Sequence, residues 1–116
     1  MSGTSGDGVD AALLETDGEN MIGFLGGLTL PYDEDLRGRL LEASQHDVPL
    51  SELLRIEKEI SEHHVDAVKQ LLAQHPKPAK QVELVGFHGP TVRHSASDGI
   101  TMQTGNPWIL ARDLKL

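Results

Sequence analysis

The first ten residues hold the densest chemistry of this chain. Gly3, Thr4, Ser5, Gly6, Asp7, Gly8, Val9 and Asp10 follow one another without interruption. Glycine lets a backbone take positive φ and come close to a ligand. Successive amides can then turn toward one anion. Thr4 and Ser5 add hydroxyl donors, while Asp7 and Asp10 supply hard oxygens that can hold a magnesium ion directly or through water. The segment therefore reads as a phosphate loop with a metal position at Asp7 and Asp10. It lacks the Gly-Lys-Ser/Thr ending of a P-loop. A strand rather than a helix follows it, so it is not a dinucleotide fingerprint. A Gly/Ser-rich terminus taken alone is more often disordered, but this one runs into an apolar strand, which favours a binding loop.

Other polar residues carry weaker signals. His63 and His64 sit among Glu59, Glu62 and Asp66. Glu59 and His63 can share a helix face, but the spacing of a paired-histidine zinc motif is missing. A solvated helix face is the better reading, and His64 can also turn to the apolar side. His88 and His94 flank a Gly-Pro turn, where they either bind a ligand or bond to backbone. Trp108 follows Pro107 at a helix start. It is expected in the core, with a stacking platform as the alternative.

These groups need elements to position them. Alternating apolar residues over 9–15 and an apolar run over 21–30 flank the turn dipeptide Asp17-Gly18, which predicts a β-hairpin. Gly26-Gly27 inside the second strand predicts a bulge or a close backbone approach. Residues 33–44 read as a helix with acids in its first turn. A longer helix is expected over 49–74, with Pro49 in its first turn. The segment His75-Pro76-Lys77-Pro78 stops it. Three strands are then expected, at 82–87, 91–94 and 100–104. A last helix over 107–114 follows, with Asn106 as N-cap. The sum is an α/β chain with a mixed sheet and flanking helices.

The 116 residues suffice for one domain. With 18 acidic and 10 basic residues the net charge is −8, which repels a nucleic acid backbone. A nucleotide ligand is still compatible, because local amides and a metal hold small phosphates. The absence of cysteine excludes disulfides and thiolate metal sites and fits a cytoplasmic location. No apolar run reaches the ~20 residues of a membrane span, and the start of the chain does not read as a signal peptide.

Three blocks carry a family resemblance. Gly3-Thr4-Ser5-Gly6-Asp7-Gly8-Val9-Asp10 resembles the Gly-Thr-Ser-x-Asp-Gly-Val-Asp signature of anhydro-N-acetylmuramic acid kinases. The block Gly86-Phe87-His88-Gly89-Pro90-Thr91-Val92-Arg93-His94 is similar to that family's Gly-x-His-Gly-Gln-Thr-x-x-His. Thr101-Met102-Gln103-Thr104-Gly105-Asn106-Pro107 is similar to its Thr-Leu-Gln-x-Gly-Asp-x. The resemblance implies a ribonuclease H-like fold of the actin/hexokinase type, with residues 1–116 as part of the N-terminal lobe of a two-lobe sugar kinase. ATP and a magnesium ion are the implied cofactors. The implied reaction opens the 1,6-anhydro bridge of the sugar with water and phosphorylates its 6-oxygen, within cell-wall recycling. Residues 3–10 would hold the nucleotide, and His88, Gly89, Thr91 and Gln103 the sugar. The full-length enzyme is a possible homodimer.

The departures from the pattern are specific. Gly6 stands where an apolar residue is usual, Pro90 where Gln is usual, and Asn106 where Asp is usual. The resemblance puts the general base, an aspartate, in an Asp-Phe-Arg segment beyond Leu116, so no catalytic residue is assigned within the chain. The 116 residues alone are expected to be inactive. The alternative is a non-catalytic remnant or a small binding module.

Overall fold

A computed structural model describes residues 6–116. Strand β1 (Gly8–Thr16) turns back on β2 (Met21–Pro31) as an antiparallel hairpin. Its turn is closed by Asp17, whose Oδ1 accepts the amides of Glu19 (2.9 Å) and Asn20 (2.7 Å). Gly18 takes φ +93°, as such a turn requires. The register slips between Leu13 and Leu14, leaving Leu25 as a bulge beside Gly26. Gly26 also meets the expectation of close approach. A Cβ there would lie 2.2 Å from His75 Nε2.

Helix α1 (Glu34–Gln45) begins where Asp33 Oδ1 accepts the Leu36 amide at 2.8 Å. Helix α2 (Leu50–Gln74) starts after Pro49 and is the spine of the molecule. Ile56, Ile60 and Ala67 on it are completely buried. They join Val9 of β1, Tyr32, Leu36, Leu40 and Ala43 in one core that also takes Val92. A charged cluster fixes α1 to α2. Arg39 donates to Glu52 (2.7 Å) and doubly to Glu59 (2.8 and 3.0 Å), and also to Asp35. These partners push the Arg39 pKa further up and hold the Glu52 carboxyl below its usual range. The hairpin exit is fixed to α2 by His63, which donates from Nε2 to the Pro31 carbonyl (2.8 Å) and lies against the Tyr32 ring.

Two expectations are corrected here. Residues 82–87 are not a strand: after the 3-10 turn Pro78–Gln81 the chain runs as a loop to residue 90. A strand needs a partner for its amides and carbonyls. Among the described residues none lies beside this segment, and Leu84 is 85% exposed. Nor is there a mixed sheet. Strand β3 (Thr91–Ser95) pairs only with β4 (Ile100–Gln103), antiparallel, so the described residues form two separate two-stranded sheets. Helix α3 (Pro107–Leu114) follows, with Asn106 Oδ1 accepting the Trp108 amide at 3.0 Å. Among the described residues no helix is long and apolar enough to cross a membrane.

Removing core side-chain volume and adding a helical Cβ are expected to act with opposite signs. Ile56→Ala is expected to cost ~2–5 kcal/mol by leaving a cavity. Gly38→Ala on α1, where a Cβ meets nothing within 4 Å, is expected to gain up to ~1 kcal/mol of helix stability. Urea unfolding of the two variants checks both signs.

Candidate functional site

The first motif block is far in sequence from the other two, and the fold brings it beside the second. Gly3, Thr4 and Ser5 lie outside the described residues. Gly6 follows with φ +61°, the left-handed conformation an amide-lined turn uses. Gly6 lines a groove of about 390 Å³ together with Arg37, Gly38, Leu40, Pro90 and Thr91. The phosphate-loop block and the His-Gly-Pro-Thr block therefore face the same space. Thr91 is the register partner of Gln103, so the third block adjoins the second through the β3–β4 ladder.

Asp7 sits at the mouth of β1. Its Oδ1 is 2.6 Å from Arg37 Nη2, and its carbonyl accepts the Tyr32 amide at 3.0 Å. Asp10, two residues into β1, accepts the Thr29 hydroxyl at 2.5 Å. Both are exposed at the surface. Val9 between them is buried and belongs to the core. No group of three or more metal-ligating side chains exists among the described residues. Gly8 has a structural cause: a Cβ there would come within 2.5 Å of the Leu30 carbonyl oxygen.

The second block folds on the third through backbone. A Cβ at Gly89 would strike the Thr104 carbonyl oxygen at 1.6 Å, and the Thr104 amide donates to the Pro90 carbonyl at 2.9 Å. His88 is exposed, and its Nδ1 lies 3.3 Å from the Gly89 carbonyl, as a local donor. His94 is exposed further along β3. Trp108 is 80% exposed, which overturns its expected place in the core. The N-cap bond of Asn106 starts α3 with the indole facing outward.

Arg37, Gly38 and Ser61 are not among the residues expected here; Phe87 belongs to the second motif block, and the expected option that His64 turns to the apolar side is met. The first two look like ordinary surface of a helix. Ser61 and His64 had a usable signal: polar side chains on the apolar stripe of α2. His64 is 2% exposed, and its Nδ1 donates to the Ile60 carbonyl at 2.7 Å. Burial pushes its pKa down to about 4, and the Ile60 bond opposes that only in part. Nε2 of His64 and the buried Thr104 hydroxyl have no hydrogen-bond partner among the described residues.

Comparison with known proteins gives this geometry its context. The family model for anhydro-N-acetylmuramic acid kinase matches residues 1–116. The chain belongs to this family. A protein from Rhizobium etli named anhydro-N-acetylmuramic acid kinase is 42% identical over 119 aligned positions, covering 97% of this chain and 32% of the relative. One of the same name from Gluconobacter oxydans is 43% identical, covering 95% of this chain and 31% of the relative. A third, from Nitrobacter winogradskyi, is 38% identical over the whole of this chain and 34% of the relative. The chain thus spans about a third of the length of the curated relatives it matches and is similar to their N-terminal portion.

Two measurements check the site of this kinase-family chain. Gly89→Ala forces the backbone away from Thr104, with an expected loss of ~1–3 kcal/mol in urea unfolding. The His64 imidazole should stay neutral in NMR titration until the pH nears 4. Its folded pKa lies below the unfolded value, so its contribution to stability is fully present above pH ~6.5 and is lost as the pH falls toward 4. A His64 ring that titrates near 6.5 in the folded protein would contradict its burial.

Proposed function

We infer that this chain supplies part of the nucleotide and sugar sites of an ATP-dependent anhydro-N-acetylmuramic acid kinase acting in cell-wall recycling in the cytoplasm. The observation that carries the reading is the groove shared by Gly6, Pro90 and Thr91. It joins two signature blocks of the family across more than eighty residues of sequence. Phosphoryl transfer asks a protein mainly for positioning and charge neutralisation.

In this reading residues 3–10 hold the phosphates of ATP, with the left-handed turn at Gly6 helping to turn amides inward. The donor set fits a magnesium ion, which takes hard oxygens and often only one or two carboxylates. Asp7 is already neutralised by Arg37, and a metal there would have to displace that guanidinium. The bound ion would supply charge neutralisation for the phosphates. His88, Gly89, Thr91 and Gln103 hold the sugar. The Thr91–Gln103 pair sets the spacing of two of these contacts.

The reaction balances simply. Water adds to the anomeric carbon, the bond from that carbon to the 6-oxygen breaks, and the 6-oxygen takes the γ-phosphoryl group as ADP leaves. The proton of the water goes to a general base that no residue of this chain is assigned to be. In the same reading the fold is the ribonuclease H-like N-terminal lobe of a two-lobe enzyme, and the whole enzyme can be a homodimer.

The test is an assay of the complete gene product with ATP, magnesium and 1,6-anhydro-N-acetylmuramic acid. Phosphorylated, ring-opened sugar is expected, and Asp10→Asn should lower kcat/KM at least ~10-fold, the scale of a lost charge contact in phosphoryl transfer. Calorimetric titration of the same protein gives a separate view of sugar binding. No turnover and no saturable binding of either ligand would overturn the reading in favour of a non-catalytic remnant or binding module.

A further inference from the structure

Helix α2 buries two polar side chains that no motif of the site includes. Ser61 is fully buried and His64 nearly so. A hydroxyl inside an apolar interface costs stability unless it is bonded, and serine is a poorer helix former than alanine. Ser61 is bonded twice. Its hydroxyl donates to the Glu57 carbonyl at 2.6 Å, and its oxygen accepts the Asn106 amide at 2.8 Å, from a residue 45 positions away. The first bond is local to the helix, but the second fixes the end of the Thr101–Asn106 block.

His64 lies one helical turn on and therefore on the same face. Its Nδ1 proton is held by the Ile60 carbonyl, which fixes the ring plane. The ring meets Phe87 edge to face, with centroids 4.9 Å apart and planes at 90°. Phe87 in turn occupies the space beside Gly105, where a Cβ would come within 2.5 Å of its Cζ. Gly105 has φ +140°, a conformation that itself favours glycine. So His64 braces the 86–91 block from one side, and Ser61 braces the 101–106 block from the same helix face. The two blocks touch where Gly89 meets Thr104.

We propose that Ser61 and His64 are positioning residues that set the spacing between the two sugar-holding loops, His88–Thr91 and Gln103–Asn106. This rests on the reading of those loops as a sugar site. The geometry gives a reason for both residues to be polar or aromatic at core positions of α2. An aliphatic residue at either place would fill the interior but leave one loop unfixed.

The test uses the nitrogen-15-labelled complete gene product and 1,6-anhydro-N-acetylmuramic acid as probe, followed by NMR. Without sugar, Ser61→Ala should lose exchange protection at the Asn106 amide and move the signals of His88 and Gln103, while the hairpin signals stay in place. With sugar, Ser61→Ala and His64→Leu should each weaken binding about 10-fold, the scale of a small misplacement of binding groups. Ser61→Thr keeps the hydroxyl and should stay within about two-fold of the parent. Ser61→Ala removes a single oxygen and decides the matter if His64→Leu fails to fold. Unchanged Asn106 protection overturns the proposal, as does unchanged affinity in Ser61→Ala. Changes spread equally over the hairpin and unrescued by Ser61→Thr also overturn it. If the complete parent protein shows no sugar-dependent shifts, the sugar reading of the loops falls, and the exchange measurement still decides whether Ser61 positions them.

Discussion

The core of this fold is organised around the buried stripe of α2. A two-stranded sheet is marginal by itself in water, and this chain contains two of them among its described residues. Each survives by covering part of the same helix-centred core. The hairpin contributes Val9, α1 contributes Leu36, Leu40 and Ala43, and β3 contributes Val92, all around Ile56 and Ile60. At roughly 25 cal/mol per Å² of apolar surface removed from water, these side chains supply much of the attraction between the parts. The Arg39 cluster adds direction to that attraction, because a guanidinium that meets two carboxylates on α2 admits only a narrow range of crossing geometries.

The same core places the candidate site. Helix α1 presents one face to α2 and a second to the groove, so Leu40 is shared between the two. The phosphate-loop end of β1 and the start of β3 both reach the groove walled by α1, with Val9 and Val92 drawn into the core. Neither motif block reaches the other directly. Their meeting depends on a helix that carries no signature residue at all. The groove also explains Gly38, which weakens its helix yet leaves open space in the wall.

Glycine in these blocks has more than one cause. Gly6 has a left-handed φ, which suits an anion-facing turn. Gly8 and Gly89 instead admit neighbouring backbone, at Leu30 and Thr104 respectively. A glycine-rich signature thus combines a conformational requirement with two packing requirements.

The amino-acid sequence by itself determined the features that arise within a few residues. The Asp17-Gly18 turn, the Asp33 and Asn106 caps, the bulge beside Gly26 and the long apolar periodicity of α2 each need only local bonds or a local pattern. The family signature was legible for the same reason, since its three blocks are contiguous strings. Tertiary structure decided what depends on partners. Residues 82–87 have the composition of a strand but no neighbour to complete its hydrogen bonds. Trp108 has the size of a core residue but starts a helix whose cap turns it outward. Ser61 and His64 look like interruptions of an apolar face until Asn106 and Phe87 arrive beside them. Whether Gly6 and Thr91 share one groove is set by how α1 and β3 pack on α2, and no short stretch of sequence contains that distance.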